Sequence, residues 1–254
     1  MIIIGKKKNN LKRDYCLIGL SKFNYEIGKI LMKENQNVTV LDNDSDVIDN
    51  LGGEFTESKS CDAVNIKELE DVDIKHFDYV IVGIDNVEKS ISICSNLKEL
   101  GVIRILAQAK DEVHKRILKL MGIIHSIIPE LYVAENLAYQ TMFDIEVEKL
   151  PYSKEECENE IFIFKLNVYN SKLREKKISS LLFLKENNAS ILSIKRMKKG
   201  SIIFPVSEDE KLERSDEIIL IARKESINKL KESFQKNIPV NLLEETEEKE
   251  KEEE

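Results

Sequence analysis

The clearest chemical signal of the chain lies in residues 15–24, YCLIGLSKFN, where an apolar run leads into Gly19, Ser21 and Asn24 at the spacing G-x-S-x-x-N. Asp42 closes the next apolar run, NVTVLD. In a dinucleotide-binding turn, a glycine permits the tight bend, a helix N-terminus holds phosphate, and a later acid binds ribose hydroxyls. The order of these residues therefore predicts a nucleotide-binding turn.

The turn departs from the pattern G-x-G-x-x-G at two positions. Ser21 adds a hydroxyl that can donate to a phosphate oxygen, and Asn24 replaces the glycine that usually allows close packing of helix and strand. The alternative is a turn with a structural role only. Two acids also have an alternative role, because Asp42 can cap the end of its strand and Asp85 can be the N-cap of the helix that follows it.

The sequence contains no constellation that predicts catalysis. His76, His114 and His125 have no spaced carboxylate or nucleophile that would complete a dyad or triad. The four cysteines show no CxxC spacing: Cys16, Cys61, Cys94 and Cys157. They predict reduced core thiols in a cytosol, with no disulfide framework and no zinc site. We therefore expect a protein that is not an enzyme.

The elements that must position the turn alternate short apolar runs with amphipathic stretches of helical length, a pattern that predicts βαβ units and a parallel sheet. The expected strands are YCLIG, NVTVLD, YVIVGID, IRILAQ and HSIIP. Beyond a charged segment near residue 150, the pattern changes to EIFIFKLNV, ISSLLFL, ASILSIKRM, SIIFPV and EIILIAR, mainly strands, with one helix after them and room for one between. The predicted fold is α/β, a Rossmann-like parallel sheet with helices on both faces, followed by a small α+β C-terminal domain.

The expected organisation along the chain has five parts. They are a basic arm at residues 1–13, a Rossmann-like nucleotide-binding domain at 14–145, a linker at 146–157, a C-terminal domain at 158–236 and an acidic tail at 237–254. Eight Glu and two Lys in residues 244–254 supply a net charge of −6 of the chain's −8, so the body is nearly neutral. A body without a basic stripe argues against nucleic acid as a partner. The first apolar run, MIII, is too short for a signal peptide or a membrane span, which predicts a cytoplasmic protein.

The chain resembles the cytosolic gating subunits of Ktr/Trk-type potassium uptake systems, which carry N-terminal and C-terminal regulator-of-potassium-conductance (RCK) domains. The similarity is carried by LIGLSKFNYEIGKIL, VTVLDND, SCDAVNIKEL, FDYVIVGIDNVEKSI and HKRILKLMGIIHSIIPE, and more loosely by SILSIKRMKKGSIIFP and LERSDEIILIA. The resemblance implies a nucleotide-sensing regulatory subunit that gates a separate membrane channel or transporter for potassium. It also implies a homo-oligomer, in which dimers assemble into an octameric ring peripheral to the membrane.

An apolar helix face supports oligomer formation independently. It consists of Leu131, Leu137, Ala138 and Met142. These residues remain apolar after one face of the helix is covered by its own domain, which predicts at least a dimer.

By the same resemblance, ATP and ADP compete for the Rossmann site, and NAD(H) is a further candidate. The implied phosphate turn consists of Gly19, Leu20, Ser21, Lys22 and Phe23. Lys22 would reach the phosphates of a nucleotide held by the neighbouring subunit, and Asp42 would bind the ribose hydroxyls. The implied frame of the adenine and its entrance consists of Asp62, Ala63, Ile84 and Asp85.

Glu130 and Gln108 also correspond to family positions near the phosphates. Glu130 would help to hold a cation between subunits, and its alternative role is compensation of the dipole of the last helix. Gln108 stands where the family often has Lys or Arg, which removes a cation that could distinguish ATP from ADP. The loss of one exposed phosphate contact would lower the affinity roughly ten-fold.

In the C-terminal domain, Ser190, Ile191 and Pro205 fall near positions that bind cyclic di-AMP at a dimer interface in similar regulators. An apolar dimer surface explains the same residues. Two other functions stay open on the sequence. One is an NAD(H)-binding oxidoreductase or redox sensor with a degenerate Rossmann turn, and the other is a nucleotide sensor acting on transcription, although no DNA-reading helix is visible.

Overall fold

The computed structural model describes residues 12–150, 160–197 and 200–236. The acidic tail, Cys157 and all of the basic arm except residues 12 and 13 lie outside this part of the chain. Two compact units meet in sequence between Tyr132 and Val133. Among the described residues, no helix combines the length and the apolar character that crossing a bilayer requires.

The first unit contains a parallel sheet with the strand order β3-β2-β1-β4-β5-β6. Its six strands are β1 Asp14–Ile18, β2 Asn37–Asp42, β3 Glu57–Ser60, β4 Tyr79–Val82, β5 Ile105–Gln108 and β6 His125–Ile127. Every neighbouring pair is parallel. The strand order reverses direction between β1 and β4, the point at which sheets of this class bind ligands. The predicted Rossmann-like sheet is therefore confirmed.

Helices cover both faces of this sheet. One core cluster joins Leu17, Val40 and Ile81 to apolar residues of two helices, α1 Lys22–Lys33 and α2 Ser45–Leu51. The opposite core joins alternate strand residues to three further helices: α3 Ile66–Asp71, α4 Val87–Glu99 and α5 Glu112–Leu120. Since successive strand residues point to opposite faces, each apolar strand supplies both cores.

The second unit contains a five-stranded antiparallel sheet with the order β10-β9-β11-β8-β7. Its strands are β7 Val147–Lys149, β8 Ile161–Asn167, β9 Ser190–Arg196, β10 Ser201–Ile203 and β11 Glu217–Arg223. Two helices, α7 Leu182–Glu186 and α8 Ile227–Gln235, contribute to one core with the inner face of the sheet. The segment ISSLLFL supplies α7, the helix between strands. The predicted α+β class of this half is confirmed.

The division between the units lies within helix α6, Pro129–Phe143, rather than near residue 150. The reason is aromatic packing, because Tyr139 and Phe143 both contact Phe162 of β8 edge to face. Strand β7 falls inside the expected linker, where it pairs with β8. Residues 151–159 of that linker lie outside the described chain.

Candidate functional site

The turn after β1 requires glycine at position 19. Gly19 has a φ of +80°, and a Cβ placed there would lie 2.4 Å from Cδ1 of Ile84 and 2.9 Å from the carbonyl oxygen of Gly83. Its N–H donates to the carbonyl oxygen of Leu41 at 2.8 Å. A side chain at this position would be strained both by the left-handed backbone and by the neighbouring atoms.

Asp42 is anchored to the same turn by both carboxylate oxygens. Oδ2 accepts a hydrogen bond from the backbone N–H of Leu20 at 2.7 Å, and Oδ1 accepts one from Asp44 at 3.0 Å. Asp42 therefore has the strand-end role that the sequence left open. A carboxylate oxygen can accept two hydrogen bonds, so capacity for two ribose hydroxyls remains. The structural role and the ribose-binding role are compatible.

Ser21 and Asn24 form the start of helix α1. Ser21 is its N-cap, and its hydroxyl accepts from the N–H of Asn24 at 3.4 Å. The fully buried side chain of Asn24 donates from Nδ2 to the carbonyl oxygens of Gly19 at 2.7 Å, Ile18 at 3.1 Å and Ile81 at 3.3 Å. Asn24 thus ties the turn to β4 by contacts that a glycine cannot make.

In the fingerprint, the third glycine lets the helix pack closely on the strand. Here Gly83 and Gly28 allow that close packing instead. A Cβ on Gly83 would lie 2.5 Å from Cγ of Asn24, so Gly83 supplies the space that Asn24 fills. A Cβ on Gly28 would lie 2.5 Å from Cε1 of Phe55 and 2.8 Å from Cδ1 of Leu17. The close approach of helix α1 to the sheet is therefore retained one turn later along the helix.

A cleft at the carboxyl end of the sheet brings together five of the residues expected to bind a nucleotide: Gly19, Asp42, Asp62, Ala63 and Ile84. The cleft encloses about 30 Å³, room for roughly one water molecule. A base or ribose would therefore lie across its open mouth, or Ile84 would have to turn away from Gly19. Oδ1 of Asp62 accepts from the N–H of Val64 at 3.1 Å, which fixes this acid at the rim.

Lys89 and Asn43 also line this cleft, and sequence reasoning did not select them. Asn43 follows Asp42 directly, and Lys89 lies in the first turn of α4. A cation is disfavoured at the positive end of a helix dipole. A lysine in the first turn of a predicted helix is therefore a sequence signal that could have selected Lys89. Asp42 and Asp62 line the same cleft as Lys89, and their carboxylates can offset its charge.

Other expected residues do not line the cleft. Leu20 contributes only its N–H to Asp42, while Lys22 and Phe23 lie in the first turn of α1. The interpretation of Asp85 as an N-cap is wrong: Asn86 caps α4, and its Oδ1 accepts from the N–H of Lys89 at 2.9 Å. Helix α4 begins at Val87, so its N-cap is Asn86, and Asp85 lies one residue before the cap.

Gln108 and Glu130 lie at and just after the carboxyl ends of the neighbouring strands β5 and β6, respectively. Gln108 ends β5, is 8% exposed, and its buried Oε1 has no hydrogen-bond partner within the described residues. Glu130 is the exposed second residue of α6. Within the described ranges, no cluster of three or more histidine, cysteine or acidic side chains has an arrangement that could hold a metal ion.

Burial shifts the pKa of titratable side chains in the first unit. Burial raises the pKa of the Cys61 thiol, which lines the cleft, to about 11. Burial also lowers the pKa of His114, whose Nδ1 accepts from the N–H of Lys110. Both side chains are buried, and Cys16, Cys61 and Cys94 are free thiols.

The second unit places Ser190 and Ile191 at the start of β9. Pro205 follows β10, which pairs with β9 through Ile203 and Ile194. Buried Arg196 of β9 holds the segment from 210 to 216, because it donates to Glu210 at 2.5 Å and also pairs with Asp216.

A Rossmann-like parallel sheet with a tight glycine turn after its first strand, followed by a small antiparallel α+β unit, is the architecture of a two-domain RCK protein. A family model, the TrkA-N domain, matches residues 15–129, and a second model, the TrkA-C domain, matches residues 163–235. The chain belongs to the KtrA/TrkA-like family of RCK-domain proteins.

Relatives are similar to this chain along most of its length. An uncharacterized protein of Mycoplasma genitalium is 35% identical over 218 residues, which cover 86% of this chain and 93% of that protein. The Ktr system potassium uptake protein C of Bacillus subtilis is 29% identical, covering 83% of this chain and 92% of that protein. The solved structure of the GsuK channel shares the fold with a TM-score of 0.60 and 15% identity, covering 91% of this chain. This chain spans 41% of that channel chain.

Proposed function

We propose that the chain is a regulatory subunit of a potassium uptake system that responds to an adenine nucleotide and is not an enzyme. Two matched domain models and similarity to the Ktr system proteins A and C of Bacillus subtilis support a role in potassium transport. The pore would be a separate membrane subunit, and the chain would act on its cytoplasmic side. A GsuK structure of the same fold is bound to NAD, which supports a nucleotide as the class of ligand.

The anchored carboxylate of Asp42 is the observation that carries this proposal. Its oxygens accept hydrogen bonds from the N–H groups of Leu20 and Asp44, and it lines the same cleft as Asp62 and Ala63. A fixed carboxylate has already lost its side-chain entropy, so ribose hydroxyls gain more from it than from a mobile acid. Ser21, Lys22 and the N-terminus of α1 would then hold phosphate.

We further propose that ATP and ADP are the leading ligands and that their binding is weak. The cleft is shallow, and Gln108 contributes no charge toward phosphate. Asp85 and Phe23 would contact the ligand at the entrance, and Glu130 would hold a cation near the phosphates in the assembled protein. In the second unit, Ser190, Ile191 and Pro205 would form the cyclic di-AMP site.

Isothermal titration calorimetry with ATP, ADP, NADH and cyclic di-AMP tests the ligand assignment. Replacing Asp42 by Ala should weaken adenine nucleotide binding ten-fold or more, on the order of 1.4 kcal/mol, because the ribose hydroxyls lose their acceptor. Asp49→Ala, on the exposed face of α2, is the matched control and should bind as the parent does. Unchanged ATP and ADP affinity in folded Asp42→Ala would show that the ribose site lies elsewhere.

A further inference from the structure

A groove larger than the nucleotide cleft lies on the face of the first sheet that carries α3. We call it the β2–β3 groove. Thr39 of β2, Glu57 of β3, and Val72 and Phe77 after α3 line both of its lobes. The lobes have volumes of about 300 and 430 Å³, against about 30 Å³ for the cleft. The groove runs from Lys59 near the carboxyl end of β3 to Asp14 at the first residue of β1.

The groove combines an apolar floor with acidic walls. Val72 and Phe77 are half-buried members of the core beneath it. Three carboxylates line it, those of Asp14, Glu57 and Asp73, against one lysine, Lys59. Asp73 pairs with His76 at the groove end. A segment that carries branched apolar side chains followed by several lysines would complement this surface.

The chain itself contains such a segment a few residues before Asp14 in sequence. Residues 2–8 read IIIGKKK, three isoleucines and then three lysines, and they lie outside the described residues. The chain enters β1 at Asp14, which lines the groove. The six steps from Lys8 to Asp14 reach at most roughly 20 Å, which exceeds the roughly 13 Å from Asn37 to Leu41, the part of β2 that lines the groove.

We propose that the β2–β3 groove is the binding site for residues 2–8 of the same chain. The isoleucines pack over Val72 and Phe77, and the lysines pair with the carboxylates of Asp14, Glu57 and Asp73. The tether makes the effective concentration of the segment high, on the order of millimolar, so individually weak contacts suffice. The segment would lie along β2 and β3, whose carboxyl ends lead to Asp42 and Asp62.

Carbodiimide crosslinking of the full chain tests this proposal, since the reagent joins an ammonium to a carboxylate that contacts it. Mass spectrometry of the monomeric band should find Lys6, Lys7 or Lys8 joined to Glu57 or Asp73. The yield should fall roughly three- to five-fold when the salt concentration rises from 0.05 to 0.5 M, because exposed ion pairs are screened. Glu57→Gln should remove its own crosslink and lower the yield at Asp73.

Matched variants separate groove binding from general charge attraction. Asp49→Asn, on α2 at the opposite face of the sheet, should leave the crosslinks unchanged. Crosslinks spread equally over Asp49, Glu54 and Glu57 would overturn the proposal, as would crosslinks found only between two copies. Sedimentation with phosphatidylserine vesicles provides the remaining outcome. Vesicle binding that requires Lys6–Lys8, without any groove crosslink, would assign the segment to the membrane surface and reject the groove.

Discussion

Asn24 occupies the position at which the dinucleotide-binding pattern has its third glycine, and Gly83 stands opposite it in the loop after β4. In the usual pattern, a glycine on the helix leaves room for the strand. Here the helix carries the side chain of Asn24, and Gly83 after β4 leaves the room for it. Nδ2 of Asn24 binds three carbonyl oxygens that would otherwise lack these donors. The turn is therefore held by a buried polar contact instead of close backbone packing.

Replacing Gly83 by Ala should destabilise the chain by about 1 to 3 kcal/mol, because the added methyl group overlaps the buried Asn24 side chain. Urea unfolding measures this change. Adding Asn24→Gly should recover part of the loss, so the double-mutant cycle should give a coupling of at least about 0.5 kcal/mol. Gly53→Ala, where no atom lies within 4 Å of the new Cβ, is the control. Additive effects would contradict the proposed exchange.

The spacing of residues along the chain was sufficient to place Gly19 and Asp42 at one turn, because that geometry follows from a strand, a turn and a helix in sequence. The contact between Asn24 and Gly83 joins segments far apart in sequence, and no local pattern indicates it. Lys89 was missed for the same reason. The only local signal of Lys89 is a cation in the first turn of a helix. That signal indicates a site only once Asp42 and Asp62 are known to line the same cleft.

At the scale of elements, the sequence predicts the strands that consist of apolar runs. It does not predict the short, largely polar strands β3 and β7. Strand β3, ESKS, has no apolar residue because it lies at the edge of the sheet, where charge prevents pairing with other chains. Strand β7 is short and was assigned to a linker. It is stabilised by pairing with β8 and by Lys149, which contacts Glu135 at 2.8 Å and Glu160 at 2.7 Å.

The Lys149–Glu160–Lys224 network predicts a pH dependence of stability in the second unit. Hydrogen bonds from Lys149 and Lys224 lower the pKa of Glu160 to about 2. The folded state therefore binds the proton less well than the unfolded state, whose Glu pKa is about 4.3. The stabilisation is complete above that value and is lost as the pH falls toward 2. Since Glu160 is 32% exposed, we expect on the order of 1 kcal/mol after solvent screening.

Glu160→Gln removes this contribution, so thermal unfolding of parent and variant should differ at pH 6 and converge near pH 2. Glu186→Gln, at the exposed end of α7, is the control and should follow the parent. A difference between parent and Glu160→Gln that stays constant from pH 6 to 2 would show that the carboxylate charge contributes nothing.

At the scale of the whole molecule, helix α6 exposes apolar residues that one copy of the chain leaves uncovered. Leu131, Leu137 and Met142 are 48%, 55% and 57% exposed. We expect light scattering to give a mass at least twice that of the 29.3 kDa chain. Leu137→Glu with Met142→Glu should shift the mass toward the monomer, whereas Leu182→Glu on α7 should not. A 29.3 kDa species for the parent, with and without nucleotide, would contradict assembly.

Potassium flux tests the central claim most directly. A ligand can bias a gate only by its different affinity for two conformations, and a 5- to 150-fold difference supplies about 1 to 3 kcal/mol. The chain should be reconstituted in vesicles with its candidate membrane subunit, and potassium uptake measured with ATP, with ADP and with neither. We predict that the flux differs between ATP and ADP, that no nucleotide is consumed, and that Asp42→Ala abolishes the difference. Equal flux in all three conditions, with complex formation demonstrated, would contradict nucleotide-dependent regulation.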